Sequence, residues 1–366
     1  NGEYGYACYR IPSLVRAGDG SLVAFAEGRV ENCGDGDGII RVVNKRSVDN
    51  GRTWGPLQVV GEFVDDVGVG HVAQSPTALV DLTDPENPDG NLFLFFNKVG
   101  LERGALGAQR VGERSAWLTQ SADQGLTWSD PVEVTEQISR PGGRHNWRGQ
   151  VSAVGHAIQL RGTEAQPVTK DRLFVMAHAN MDGVVHNYAF WSDDHGATWE
   201  VGGVNPQPWL DEVMAVERED GGIHTNSRNY DQDRVRVGYR AVTNADFDAA
   251  GAITFDEATT DTNLQSPTVQ ASLQRYSWSD DADLGGENRI LFAIPDHGRL
   301  RTNMTVRLSY DEGDTWPVAK VIDPGPSSYS DLVVDADDNI GLLYERGNDG
   351  GIYYTSFSLD WLEGSE

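Results

Sequence analysis

Four copies of one pattern, Ser-x-Asp-x-Gly-x-Thr-Trp, begin at Ser47, Ser121, Ser192 and Ser309. A chain that repeats a motif in this way builds its core unit by unit, so the repeat limits the possible folds before any other feature is weighed. Within each copy the Ser and Asp side chains are suited to accept backbone N–H groups a few positions on, and the Gly permits a positive φ. The β-branched Thr and the Trp then restart a strand, the Trp offering a broad face to pack beneath the turn. Each copy is therefore expected to be a hairpin tip, and the repeating unit a small antiparallel sheet.

The segments between the tips read as strands bounded by turn residues. Residues 9–15, 22–26 and 39–43 precede the first tip; 76–81, 92–96 and 116–118 precede the second; 157–160, 173–176 and 187–190 precede the third; 290–294 and 304–308 precede the fourth. Successive tips start 74, 71 and 117 residues apart, and the last interval has room for a further unit whose turn has decayed, with 244–248 as the candidate. Residues 332–334, 340–344 and 352–354 form a final set able to pair with the N-terminal strand and close a ring. With about 60 residues per unit, longer than a common propeller repeat, the 366 residues make six units. The expected fold is all-β: one domain over 1–366, a six-bladed β-propeller of four-stranded antiparallel blades.

The balance of 29 Lys and Arg against 56 Asp and Glu gives a net charge of −27, which argues against nucleic acid or an anionic membrane as a partner. No apolar run is long enough to span a bilayer. The chain opens at Asn1, as expected of a mature or trimmed form. The cysteines Cys8 and Cys33 show no metal-ligand spacing; one disulfide or two buried thiols are both open. His71, His145 and His178 lack metal-like spacing too and read as scattered loop histidines, so they name no metal site; calcium among the many aspartates stays open.

Propeller turns are structural, so chemistry is expected in loops at the face opposite the repeats. Three arginines interrupt the strand pattern: Arg10 between Tyr9 and Ile11, Arg228 closing Asn226-Ser227-Arg228, and Arg301 in Leu300-Arg301-Thr302-Asn303. Converging from separate blades, they would make a nest for a carboxylate.

With Tyr9-Arg10-Ile11-Pro12, the four repeats, Ser328-Tyr329-Ser330 and Leu343-Tyr344-Glu345, the chain resembles the bacterial exo-sialidases (neuraminidases), and the likeness runs from Tyr9 to about Leu362. The resemblance implies a retaining exo-α-sialidase acting on sialylated glycans, glycoproteins or gangliosides, without cofactor, expected as a secreted or cell-surface monomer. It implies that Arg10, Arg228 and Arg301 grip the substrate carboxylate, that Glu345 orients the first of them, and that Tyr329 is a nucleophile assisted by Glu212. Glu217 is the rival to Glu212. The 16 residues from Glu212 to Arg228 and the 28 from Arg301 to Tyr329 are similar to the family's spacing. The family's acid/base aspartate falls five residues beyond the arginine matched by Arg29, where this chain has Gly34; Asp35 is the nearest candidate and Asp37 the runner-up. Arg29 itself is expected to support the carboxylate or the acid loop.

A sialoside carries a carboxylate on its anomeric carbon, so a carboxylate nucleophile would approach against like charge. A neutral phenol avoids that repulsion, and sialidases are known for a tyrosine nucleophile. A phenol with pKa about 10 attacks poorly at neutral pH unless a nearby base takes its proton. If Cys8 and Cys33 are bridged, the bond would tie the acid loop to the strand of Arg10. Residues 73–76 and 140–147 depart from the family pattern and are candidates to line the N-acyl or glycerol subsites. A trans-sialidase, hydrolytic or intramolecular, would keep the same residues; a non-catalytic glycan-binding propeller is the alternative from another class.

Overall fold

The four repeated tips have one geometry. In each, the Gly N–H donates to the Ser Oγ at 2.8–2.9 Å, and the Thr N–H and hydroxyl donate to the two Asp oxygens at 2.8 Å and 2.5–2.6 Å. The residue before each Gly also has positive φ: Asn50 55°, Gln124 61°, His195 55° and Glu312 61°. These observations come from a computed structural model that describes residues 2–364 apart from 36–37, 67, 69, 105–106, 139–146, 153, 165, 230–237 and 348–350.

The tips join strands in antiparallel order. One nine-stranded sheet contains β1 (Cys8–Arg16), β2 (Leu22–Arg29), β3 (Ile40–Ser47), β4 (Gln58–Gly61), β5 (Val72–Asp81), β6 (Asn91–Gly104), β7 (Gly107–Ser121) and β8 (Val132–Glu133). After β9 (Trp147–Ser152) and β10 (Gly155–His156), the latter parallel to β5 in that sheet, a five-stranded sheet orders β11 (Ile158–Gln159), β12 (Leu173–Met181), β13 (Val184–Ser192) and β14 (Glu200–Val204), with β9 also on β12. The next orders β15 (Leu210–Glu217), β16 (Ile223–Asn229), β17 (Tyr239–Phe247) and β18 (Ile253–Phe255), with β19 (Thr259–Gln265) also on β17. A six-stranded sheet runs β20 (Ser272–Ser277), β21 (Arg289–Pro295), β22 (Thr302–Ser309), β23 (Val318–Val334), β24 (Ile340–Arg346), β25 (Ile352–Phe357). The two α-helices among the described residues, Thr135–Ile138 and Leu359–Glu363, are single turns. None is long and apolar enough to cross a membrane.

The unit between the third and fourth tips lacks the repeat and has its outer turn at residues 248–252, between β17 and β18, where Asp248 Oδ1 accepts the Ala250 and Ala252 N–H groups at 2.8 and 3.0 Å. Residues 244–247 of the sequence-based candidate are the strand leading into it. An Asp-capped turn thus stands there in place of the full repeat.

Core clusters lie between successive groups of strands. Phe25 meets Trp128, and Phe93 and Phe95 meet Trp199. Leu14 and Leu22 of β1 and β2 pack with Val333 and Leu343, with Trp54 and Tyr354 alongside, so the end of the chain packs on its beginning. The repeat glycines explain themselves here. A Cβ on Gly51 would fall 2.0 Å from the Tyr354 ring, one on Gly196 2.4 Å from Phe93, and one on Gly313 2.8 Å from His224. Each tip presses its bare backbone against a neighbouring group of strands, and the residue before the glycine bonds to that neighbour. Asn50 bonds Asp337, Gln124 takes the Gly18 N–H, His195 bonds Asp81, and Glu312 takes the Glu219 N–H.

At the axis the leading strands are laced by buried hydrogen bonds. Leu14 N donates to Asp331 Oδ2 at 2.7 Å, Ser272 Oγ and His156 Nδ1 meet Asp331 Oδ1 at 3.0 and 2.8 Å, and Ser13 Oγ donates to Gly155 O at 2.7 Å. Each of the atoms named is bonded, as an interior position favours.

Candidate active site

At the end of the leading strands away from the tips, regular pairing breaks. Register shifts fall between Arg10 and Ser13 in β1, Gln74 and Thr77 in β5, Leu210 and Val213 in β15, and Ser327 and Ser330 in β23. A bulge turns a side chain out of the alternation and toward the strand end. Three of these four breaks carry Arg10, Glu212 and Tyr329. Ile11 has φ 57° and Ser75 φ 60°, a conformation that costs a β-branched residue in particular. A carboxylate holds each: Ile11 N–H donates to Glu345 Oε1 and Ser75 N–H to Glu27 Oε1, both at 2.8 Å.

Tyr329 is the meeting point. Its ring is buried and its hydroxyl donates a short hydrogen bond to Glu212 Oε1. Arg228 Nη1 lies 2.8 Å from Glu212 Oε2 and 2.9 Å from the Tyr329 hydroxyl. The guanidinium carbons of Arg10 and Arg301 each stand 5.7 Å from the centre of the Tyr329 ring. Three arginines from β1, β16 and the edge of β22 therefore surround one phenol. Burial pushes the phenol pKa well above 10, the Glu212 charge adds to that, and Arg228 and Arg301 oppose it. Tyr329 is thus a neutral hydroxyl at neutral pH, with a carboxylate placed to take its proton.

Arg10 is clamped by Glu345, which accepts from Nε and Nη2 at 3.0 Å each, while Glu345 is almost fully buried. Burial works against the Arg10 charge, but Glu345 more than offsets it and raises the pKa further. Arg301 is exposed, donating to Ser328 Oγ at 3.1 Å and Thr268 O at 3.2 Å. An edge-on carboxylate fits a set in which one guanidinium is fixed, one is shared and one is open.

Asp35 reaches into this set from the loop after β2. Its carboxylate is 2.7 Å from Arg29 Nη1 and 3.6 Å from Arg10 Nη1, with the side chain four-fifths exposed. Desolvation pushes the Asp35 pKa up, and Arg29, Arg10 and Arg110 together overcome it and hold the pKa below the usual carboxylate range. Arg29 is buried, paired with Glu27 at 2.6 Å, and donates to the Cys33 carbonyl at 2.6 Å. Cys8 and Cys33 form a disulfide, so the loop is fastened covalently to the strand of Arg10. Asp37 lies outside the described residues, as do 140–146 and His145.

Glu217 lies apart from this group. Its carboxylate caps the Arg161 and Gly162 N–H groups at 2.6 and 2.9 Å, and burial raises its pKa. His178 is not a loop histidine: it sits in β12 and its Nε2 meets Asp211 Oδ1 at 2.7 Å, beside Glu212. Burial pushes Asp211 up, but His178, with Arg228 and Arg114, holds it down. His71 Nδ1 accepts the Leu101 N–H at 3.0 Å. Among the described residues no group of three or more His, Cys, Asp or Glu side chains could hold a metal ion. Arg110 and Arg114, from the long β6–β7 hairpin, act electrostatically on Asp35 and Asp211 and were missed from the sequence. The signal was there: two arginines within five residues of a strongly acidic chain.

The chain matches the BNR repeat-like domain over residues 20–344. It is 34% identical to a sialidase of Micromonospora viridifaciens across its whole length, though it spans about half (53%) of that relative. It is 28% identical to an exo-alpha-sialidase of Aspergillus fumigatus over 98% of the chain and 86% of the relative. Among solved structures, Hadza microbial sialidase Hz136 superposes with a TM-score of 0.82 at 26% identity, covering 99% of this chain and 68% of the other. The all-β fold is that of the sialidase β-propellers, and the chain belongs to the sialidase family with BNR repeats.

Proposed function

We propose that this chain is a retaining exo-α-sialidase domain that removes terminal sialic acid from glycoconjugates. The observation that carries this reading is the convergence of Arg10, Arg228 and Arg301 around the buried Tyr329, whose hydroxyl is bonded to Glu212. In the proposed reaction the three arginines bind the substrate carboxylate, with Glu345 fixing Arg10. Glu212 takes the phenolic proton as Tyr329 oxygen attacks the anomeric carbon, while Asp35 gives a proton to the departing glycosidic oxygen. Water then attacks the same carbon, losing a proton to Asp35, and the Tyr329 oxygen leaves and recovers its proton from Glu212. Two displacements return the starting configuration.

Asp35 starts ionised beside Arg29 and Arg10. A bound carboxylate takes over Arg10 and adds its own negative charge, raising the Asp35 pKa where an acid is needed. Arg29 keeps the loop in reach.

The scaffold is proposed to be a six-bladed propeller in one domain over 1–366. Support comes from the groups β1–β4, β5–β8, β11–β14, β15–β18 and β20 to the first half of β23, each of four strands. The second half of β23 with β24 and β25 makes the sixth, of three strands among the described residues. The disulfide favours an oxidising compartment outside the cytosol, and a monomer is the expected state.

Turnover of a fluorogenic α-sialoside, with the first-formed anomer followed by proton NMR, tests the reading. Release of the α-anomer of free sialic acid is expected. A β-anomer would contradict the double displacement, an anhydro or transferred product would turn the reading toward a trans-sialidase, and binding without turnover would sink the enzyme assignment.

A further inference from the structure

Behind the candidate site lies Arg240, a fully buried arginine of β17. Its Nε donates to Asn226 Oδ1 at 2.6 Å, Nη1 to the Val269 carbonyl at 2.5 Å and Nη2 to the Asn226 carbonyl at 3.4 Å. Every acceptor is neutral. Among the described residues no carboxylate lies within ion-pair reach, and Asp261, its partner across the β17–β19 ladder, accepts the Asn263 N–H instead. Burying a charge without a counterion costs several kcal/mol in general. An aliphatic residue would fill the space without that cost, so the charge calls for a reason.

The surroundings supply one. Arg240 follows the β16–β17 ladder one step past the Ser227–Ala241 pair, beside Arg228. Burial lowers its pKa to about 9, Glu212 is its favourable electrostatic neighbour, and Arg228 repels it. At neutral pH it stays charged. The buried set of Arg228, Arg240, Glu212 and a neutral Tyr329 therefore carries one excess positive charge, and keeps it as the phenolic proton passes to Glu212, so Arg240 favours the one negative charge that the pair shares. The hydrogen bonds add a second connection. Arg240 holds Asn226, two residues before Arg228, and Val269, next to Thr268, whose carbonyl accepts from Arg301.

We propose that Arg240 is a positioning residue of the Tyr329–Glu212 pair: its buried charge favours the ionised pair, and its hydrogen bonds fix the backbone behind two of the three carboxylate-binding arginines. The inference rests on the reading of Tyr329 and Glu212 as the reacting pair. The other charged groups facing Glu212 are Arg228 from β16 and the Asp211–His178 pair with Arg114, while Arg10 and Arg301 flank the Tyr329 ring. These stay in place when Arg240 alone is changed.

The test uses the full chain and a fluorogenic α-sialoside, with kcat, KM and the pH profile of kcat/KM for Arg240→Met and Arg240→Lys. Without the charge, the negative charge shared by the Tyr329–Glu212 pair is less favoured, so the acid limb of kcat/KM in Arg240→Met should move up by about one pH unit. Its kcat should fall about tenfold or more, with KM changed less. Arg240→Lys keeps the charge and loses the planar fork; its acid limb should stay with wild type. An unmoved limb in Arg240→Met, or a loss confined to KM, would overturn the proposal by leaving Arg240 a purely structural role. If Arg240→Met does not fold, the lysine variant decides: folded and active supports the charge, while unfolded or as inactive as Tyr329→Phe overturns it. Tyr329→Phe and Glu212→Gln belong in the same series. Wild-type turnover in those two would show the reading of the pair to be wrong, whatever Arg240 does.

Discussion

The two ends of each strand group follow opposite rules. At the tip end, four turns repeat the same hydrogen bonds to within about 0.1 Å, and every bond lies within eight residues of sequence. At the site end, four leading strands share the same bulge, but the side chains they carry meet different partners. Arg10 meets Glu345 across 335 residues, and Tyr329 meets Glu212 across 117. Local chemistry is repeated where it must only fold and dock. Long-range chemistry appears once, where a particular set of charges has to meet. The difference shows how a repeat fold gains a function: regular tips hold the strands, and irregular starts aim the side chains.

Changes at the site end should strike activity, and changes at the tip end should strike stability. The largest effect is expected from Asp35→Ala. Loss of general acid–base help is worth about a hundredfold to ten-thousandfold, so turnover of natural sialosides should fall within that range. Aryl sialosides, whose leaving groups need little protonation, should suffer far less in the first step; equal losses on both would move the acid role elsewhere. The same carboxyl sets a pH signature. It must be protonated to act, and in the free protein its pKa is held down by Arg29 and Arg10 against partial desolvation. The alkaline limb of kcat/KM should therefore fall at lower pH than that of kcat, where the bound carboxylate has taken Arg10. Coincident limbs would contradict the displacement of Asp35 by substrate.

Glu345→Gln should come next. The amide still accepts the Ile11 N–H but no longer balances the Arg10 charge, so KM should rise about tenfold or more through a misplaced guanidinium. A change in kcat alone would mean that Arg10 does not bind the ground state.

The smallest effect on chemistry belongs to the tip end. Asp123→Ala removes the bonds to the Thr127 N–H and hydroxyl, and should cost about 1 kcal/mol of stability with kcat unchanged. Altered kcat at an unaltered melting temperature would break the division between the two ends. The carboxyls of Asp123, Asp194 and Asp311 are held down by their Thr and Ser hydrogen bonds against burial, and Asp49, led by its bond to Thr53, is held down to about 2. A lowered pKa gives stability that is present above the unfolded value, about 4, and is lost as pH falls through the folded value. Acid unfolding should therefore steepen below about pH 4, and Asp→Asn changes at the tips should flatten it.

The same division governed what the sequence could reveal. The tips were legible because their bonds are local, down to the positive φ at each glycine. That each glycine also abuts a neighbouring group of strands was not, since the Gly51–Tyr354 approach spans most of the chain. At the site, the residues named from the family likeness are brought together by the fold, whereas composition alone marked only the three arginines as interruptions of strand grammar. The bulges that aim Arg10, Glu212 and Tyr329 left no trace, because a register shift depends on the partner strand. Arg240 carried the signal used for Arg10, a charge inside an apolar run at 239–242, but its burial depends on segments that sequence does not place side by side. His178 was misread because its partner, Asp211, comes from another sheet.

The most direct test is to trap the intermediate. A sialosyl fluoride slowed by a second fluorine at carbon 3, reacted with the full chain and followed by intact mass and peptide mapping, reports which atom attacks. One sialosyl adduct on the peptide containing Tyr329, absent from Tyr329→Phe, is the predicted result. An adduct on Glu212 or Asp35 instead, or full turnover by Tyr329→Phe, would contradict the account.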